Sequence, residues 1–261
     1  MTKEVHSILF DLSNSVAVVI GGNGVLGSAM AKSLAGAGAR TVIVGRNMEK
    51  AEQVCVEIRQ AGGDAIALRA DASRKEDLAA VLAEVLNWGG RVDTLINASG
   101  TNSATPFFDL DMEEWDRIMD VNLKSVVLAC QVFGKQMIEQ GEGGSIINIS
   151  SVSSEPPLSR VFSYSASKAG VNSVTQFLAR EFAPHRVRVN AIIPGFFPAE
   201  QNRKILSPER VESIMRHTPM NRFGDPEELQ GTVVYLASSK ASSFVTGAFI
   251  RVDGGYGAMT I

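Results

Sequence analysis

The chain holds two cysteines and three histidines in 261 residues, with no excess of positive charge. No apolar run approaches the ~18 residues that span a bilayer. Each absence removes a class. Cys55 and Cys130 lie far apart in helix-like contexts and read as two buried thiols in a reducing compartment, not as a disulfide framework. His6, His185 and His217 form no cluster with ligand spacing, so no catalytic metal is expected. A formal net charge of −3 gives no electrostatic case for nucleic acid. The first residues, Met1 to His6, lack the charged region and apolar core of a secretory signal. A cytoplasmic protein acting on a small molecule, with no membrane partner, is the expectation. No linker, repeat or low-complexity tract divides the chain, so residues 1–261 read as one domain.

What is present is alternation. Short β-branched runs lie at Val16–Ile20, Thr41–Val44, Ala65–Leu68, Thr94–Ile96, Ser145–Ile149, Val187–Ile193 and Ala248–Val252. Most are near-continuously apolar, as in parallel strands covered on both faces. Helix-like stretches fall between them, near 25–35, 48–61, 74–88, 112–139, 164–182 and 226–236. This pattern predicts an α/β fold: a doubly wound Rossmann domain with a seven-stranded parallel sheet and helices on both faces. Asp225-Pro226-Glu227-Glu228 supplies a cap, a proline at the first helical position and an acid in the first turn. Gly62-Gly63 closes the second helix as a left-handed cap. The proline-rich stretch 196–224 breaks the alternation. It reads as a mobile, partly helical insertion that covers the substrate crevice.

The first predicted strand runs directly into Gly21-Gly22-Asn23-Gly24-Val25-Leu26-Gly27. Gly22, Gly24 and Gly27 fit G-x-G-x-x-G between a strand and a helix. The first glycine permits a tight turn, the second a close approach to pyrophosphate, and the third helix–strand packing. The helix N-terminus adds N–H groups and the positive end of a dipole. A plain β–α turn can look the same; position in the first βα unit favours a dinucleotide. Gly21, Asn23, Val25 and Leu26 complete that loop.

The end of the second strand selects the dinucleotide. An acid there would bind the ribose of NAD. The residues are Val44-Gly45-Arg46-Asn47, so Gly45 stands where the acid is expected. Arg46 can donate to a 2′-phosphate, which favours NADP and leaves NAD possible. Arg46 could equally be a solvated charge. Asp71, followed by Ala72, could accept from the adenine amino group, cap the next helix or simply turn the chain.

Tyr164 and Lys168 are four apart, with Ser151 thirteen residues before Tyr164. On a helix, positions i and i+4 share a face. An adjacent cation lowers a phenol from its usual pKa of about 10, and such a tyrosine can exchange a proton near neutral pH. The spacing is common by chance, so its surroundings decide.

Those surroundings resemble the short-chain dehydrogenase/reductase family over about residues 10–256. The landmarks follow family order: the glycine turn, Asp71, Asn97-Ala98-Ser99-Gly100, Asn122, Ser150-Ser151, Tyr164-x-x-x-Lys168, Ile193-Pro194-Gly195 and Val252-Asp253-Gly254-Gly255. Three stretches resemble the short-chain type of D-mannonate oxidoreductase (fructuronate reductase). They are Gly24-Val25-Leu26-Gly27, Pro194-Gly195-Phe196-Phe197 running to Lys204, and His217-Thr218-Pro219-Met220 running to Gly224. The chain departs from that group in a short loop after Gly100, in Ala199 where threonine is usual, and in Gly45-Arg46.

The resemblance implies a mechanism. Tyr164 exchanges a proton with the substrate oxygen, Lys168 lowers its pKa and bonds the nicotinamide ribose, and Ser151 polarises the carbonyl. Asn122 anchors a water that relays protons to Lys168. The resemblance also implies cofactor contacts from Asn97, Ala98, Ser99, Gly100, Tyr164, Lys168, Pro194, Gly195 and Phe197. The implied substrate is a keto sugar acid, bound by Ser151, Ser153 and Arg203. Ser99, Asn102, Glu155, Arg160, Gln201 and Asn202 are further candidates. The implied assembly is a homotetramer. Alternatives are a dehydrogenase of another sugar, a polyol or gluconate, a 3-oxoacyl thioester reductase, or a cofactor sensor without chemistry.

Overall fold

The computed structural model describes residues 8–197 and 207–259. The seven expected runs form one parallel sheet in the order β3-β2-β1-β4-β5-β6-β7. They are β1 (Val16–Ile20), β2 (Arg40–Gly45), β3 (Ala65–Arg69), β4 (Thr94–Asn97), β5 (Gly144–Ile149), β6 (Val187–Pro194) and β7 (Phe249–Val252). The α-helices that position the site are α1 (Val25–Gly36), α2 (Met48–Gln60), α3 (Lys75–Gly89), α4 (Met112–Met119), α5 (Ser125–Gln140), α6 (Phe162–Phe182), α7 (Pro208–His217) and α8 (Gln230–Ala237).

Every residue of β1 is buried, because alternate side chains feed two cores. Ala17 and Val19 pack with Met30 and Leu34 of α1 and with Val54 and Ile58 of α2. Val16, Val18 and Ile20 pack with Leu78 of α3 and Phe133 of α5 on the other face. Each fully buried Val, Ile, Leu or Phe contributes about 1.5–3 kcal/mol. A strand covered on both faces therefore has no use for polar alternation. From β1 the chain moves outward to β2 and β3, then returns to the other side of β1 at β4. That reversal opens a crevice at the strand C-termini.

The expected caps are present. Gly62 closes α2 with φ of +88°. The Asp225 backbone N–H donates to Glu228 Oε2 at 2.8 Å, closing a capping box. The turn it caps, Pro226–Leu229, is 3₁₀ and leads into α8.

Residues 112–139 do not form the single helix expected. One π turn, Asp120–Lys124, separates α4 from α5, with the Ser125 N–H bonded to Asp120 O five residues back. The extra residue turns Asn122 fully into the interior. Amphipathic periodicity reports which face is apolar, and one inserted residue leaves it nearly unchanged. Within 196–224, α7 supplies the expected helical part. Gln201, Asn202 and Arg203 lie outside the described residues.

Candidate active site

Two adjoining lobes form the crevice, about 420 and 430 Å³, sharing Gly21, Asn23, Gly24, Ala98, Ser99 and Gly100. The first lobe is also lined by Val25, Leu26, Gly27, Asn102, Pro194, Gly195 and Phe197, and it reaches Ser151, Tyr164 and Lys168. The second holds Arg46, Asp71 and Ala72. A larger cavity of about 930 Å³ lies at the opposite, N-terminal ends of the strands, away from the expected site residues that the structure describes.

The glycine turn works with a shifted division of labour. Gly21, not Gly22, makes the tight turn, with φ of +78°. A Cβ there would lie 2.7 Å from Ala98 C and Ser99 N. Gly22 packs inward, where a Cβ would meet Val19 O at 2.9 Å. A Cβ on Gly27 would lie 2.2 Å from Gly21 O, so α1 can sit this close to the turn only with glycine at 27. Gly24 faces both lobes, leaving bare backbone toward an elongated ligand. A dinucleotide fits this cradle: two lobes joined across a bare helix N-terminus match two nucleotide halves joined by pyrophosphate.

At the second lobe, Asp71 is a turn residue and not the α3 cap, which is Arg74. Its Oδ1 accepts from Ser73 N–H at 3.0 Å and Ser73 O–H at 2.7 Å, and these bonds hold the carboxyl below its usual range. Lys50 lines both lobes and was not singled out in the sequence. Its signal was there: it stands in the first turn of α2, four residues after Arg46.

At the first lobe, Tyr164 and Lys168 stand on α6 and Ser151 on the loop after β5. Ser151 Oγ accepts from the Ser153 N–H at 3.2 Å and the Ser153 O–H at 3.0 Å. With both lone pairs engaged, Ser151 retains only its proton to offer. It offers that proton toward Tyr164, which favours the phenolate. Ser153 is therefore buried beneath Ser151 and does not line the crevice as a substrate ligand.

The Lys168 ammonium donates to Ile149 O at 2.7 Å and lies 5.7 Å from the centroid of the Tyr164 ring. This corrects the expected tuning. Desolvation pushes the Tyr164 phenol up, and the Ser151 hydrogen bond is the one opposing influence. The lysine charge lies over the ring and against the Ile149 carbonyl.

Burial pushes Lys168 itself from 10.5 down to about 8. Between these values the unfolded chain binds more protons, so this group makes stability rise with pH across that window. The unfolding free energy of wild type minus that of Lys168→Met should therefore climb between about pH 8 and 10.5, by up to on the order of 3 kcal/mol. Denaturant melts at several pH values measure it, and a flat difference would refute the desolvation.

Asn122 ties down the crevice loop. Its Oδ1 accepts from Thr101 N–H at 2.8 Å, and its Nδ2 donates to Thr101 O at 2.9 Å and Ser167 Oγ at 3.0 Å. Asn97 was expected at the cofactor and is elsewhere. Its Nδ2 donates to Asn148 Oδ1 at 2.8 Å inside the sheet, and it lines neither lobe. Asn97 is the last residue of β4 and its side chain turns into the sheet, while Ala98, Ser99 and Gly100 lie past the strand end and line both lobes. Glu155 pairs with Arg251 at 3.2 Å, and Arg160 is exposed with φ of +70°.

A family model described as enoyl-(acyl carrier protein) reductase matches residues 23–257. The 2-dehydro-3-deoxy-D-gluconate 5-dehydrogenase of Escherichia coli (strain K12) is 38% identical over 248 residues, covering 95% of this chain and 97% of the relative. A gluconate 5-dehydrogenase from Burkholderia cenocepacia J2315, solved with NADP and tartrate, superposes with a TM-score of 0.93. It is 32% identical and covers 98% of this chain and 100% of that one. A Haemophilus influenza protein described as a candidate D-mannonate oxidoreductase, solved with NAD, is 34% identical with a TM-score of 0.91. It covers 98% of this chain and 99% of its own. The glycine cradle, the Ser151–Tyr164–Lys168 grouping and these likenesses agree: this chain belongs to the short-chain dehydrogenase/reductase family and is an NAD(P)-dependent oxidoreductase acting on alcohol groups.

Proposed function

We propose that this chain interconverts a ketone and a secondary alcohol on a sugar acid of the D-mannonate/D-fructuronate type, with Tyr164 as the acid/base. The observation that carries this reading is the hydrogen-bond polarity at Ser151. Ser153 occupies its lone pairs, so Ser151 is a donor beside the phenol, suited to an oxygen that gains negative charge. The nicotinamide, when bound, supplies or takes the hydride. Tyr164 gives the substrate oxygen a proton in reduction and removes it in oxidation. Lys168 holds positive charge under the tyrosine ring. Asn122 fixes the loop at Thr101 that borders the nicotinamide lobe.

Relatives named for gluconates and for D-mannonate support a sugar acid. They also keep gluconate as a second reading. Arg203 remains our nominee for the substrate carboxylate, because a guanidinium pairs with a carboxylate bidentately. A panel of D-mannonate, D-gluconate and neutral polyols, run with both cofactors, tests the assignment. We expect turnover of an acid and little of any polyol, and Arg203→Ala should raise KM for the acid alone. Preferential turnover of polyols would sink the sugar-acid reading. Family likeness makes a cytoplasmic homotetramer our expected assembly, and sedimentation of the purified protein as a smaller species would contradict it.

A further inference from the structure

Ser151 sits on a loop, yet the donor geometry proposed above needs it fixed. The loop is gripped by one side chain that no family landmark includes. Asn172 lies on α6, one turn beyond Lys168 and two beyond Tyr164, and is buried. Its Oδ1 accepts from the Ser150 O–H at 2.6 Å. Its Nδ2 donates to Ser154 Oγ at 2.9 Å. Ser154 in turn donates its own proton to Ser151 O at 2.7 Å. The amide thus holds the residue before Ser151 and, through Ser154, the Ser151 carbonyl itself.

The polarity of this chain is fixed. Ser154 has one hydroxyl proton and gives it to Ser151 O, so toward residue 172 it can only accept. Ser150 gives its proton, so toward residue 172 it needs an acceptor. A side-chain amide of this length presents an acceptor and a donor from one carbon, which suits both partners. The three side chains that make these bonds, Ser150, Ser154 and Asn172, are all buried. Water therefore competes poorly for these bonds; without the amide, Ser154 Oγ loses its donor and the Ser150 O–H keeps only a longer bond to Lys168 O at 3.4 Å.

We propose that Asn172 is a positioning residue for the reaction, seating Ser151 against Tyr164 from the helix that carries Tyr164 and Lys168. One rigid element then supports all three groups, which removes the loop's freedom from the reacting geometry. The inference rests on the reading of Ser151, Tyr164 and Lys168 as the reacting set.

The test uses purified enzyme with D-mannonate or D-gluconate and NADP. Asn172→Ala should lower kcat about 10-fold, with KM and Kd for the dinucleotide changed less than about twofold, because Asn172 lines neither lobe. Ser154→Ala should show the same split, and the double variant should be little worse than either single one, since both cut one chain of bonds. Unchanged kcat overturns the proposal. So does a proportional loss of kcat and dinucleotide affinity, which marks a general loosening of the fold. If Asn172→Ala does not fold, Ser154→Ala decides by the same split, because it removes a single oxygen. Tyr164→Phe, made alongside, separates the two ideas. If it is inactive while Asn172→Ala is normal, only the clamp fails; if it turns over normally, the catalytic reading itself fails.

Discussion

Tyr164→Phe lowers kcat by about 10²- to 10⁴-fold, the usual contribution of a positioned general acid, and leaves dinucleotide binding and folding near wild type. The separation of effects follows from what the hydroxyl touches. The ring is half-buried on α6, and phenylalanine keeps its volume and its contact with the Lys168 ammonium. The lost oxygen is bonded to Ser151, a donor that can turn to substrate, so no buried acceptor is stranded. Burial raises the phenol pKa, so Tyr164 is protonated throughout the neutral range and ready to donate in reduction. Loss of that proton source removes an interaction made at the transition state rather than one that binds substrate. Steady-state kcat with both substrate classes and dinucleotide affinity by fluorescence titration give the answer. Turnover equal to wild type would show that another group moves the proton.

The sheet was readable because parallel strands buried on both faces leave a run of branched apolar residues with no polar alternation. Val16–Ile20 matches the structure to the residue. The break between α4 and α5 was not readable, because a π turn adds one residue and hardly disturbs the apolar stripe. Asp71 was ambiguous for a different reason. The same carboxylate suits a turn, a cap and a ligand, and only the Ser73 bonds decide the first.

At the candidate site, sequence spacing grouped Ser151, Tyr164 and Lys168 but did not show the direction of their influence. The i, i+4 relation put Tyr164 and Lys168 on one face, as expected. It could not say that the ammonium bonds Ile149 O. That contact crosses from α6 to β5, and no local pattern encodes it. Ser153 was among the substrate-ligand candidates. Its two bonds to Ser151 Oγ, made within one 3₁₀ turn, give it the opposite role, as a support. Asn172 lay outside every motif, since its partners are 18 and 22 residues away.

Arg46→Ala should lower kcat/KM for NADPH roughly 10- to 100-fold, the worth of a charge-assisted hydrogen bond at about 1.5–3 kcal/mol, while NADH changes less than about twofold. Relatives of this fold have been solved with either cofactor, so the fold itself does not choose. The residues around the second lobe make the choice. Arg46 stands at its wall beside Asp71 and Ser73. Gly45 precedes it where an NAD-binding acid would hang, and the Asn23 carboxamide occupies the space beside it. A Cβ at 45 would meet Asn23 Oδ1 at 2.4 Å and Cγ at 2.5 Å. Asn23 is held in that place by its bond to Asn47 O at 3.2 Å. The carboxamide of the glycine turn thus sits where a Cβ at 45 would project, and position 45 itself carries no carboxylate to repel a 2′-phosphate. Gly45→Asp must displace Asn23 as well as add charge, and it should reduce NADPH use further when combined with Arg46→Ala. The decisive comparison is kcat/KM for both cofactors in wild type and both variants. A wild-type preference for NADH, or an equal loss with both cofactors in Arg46→Ala, would show that the guanidinium does not read the 2′-phosphate.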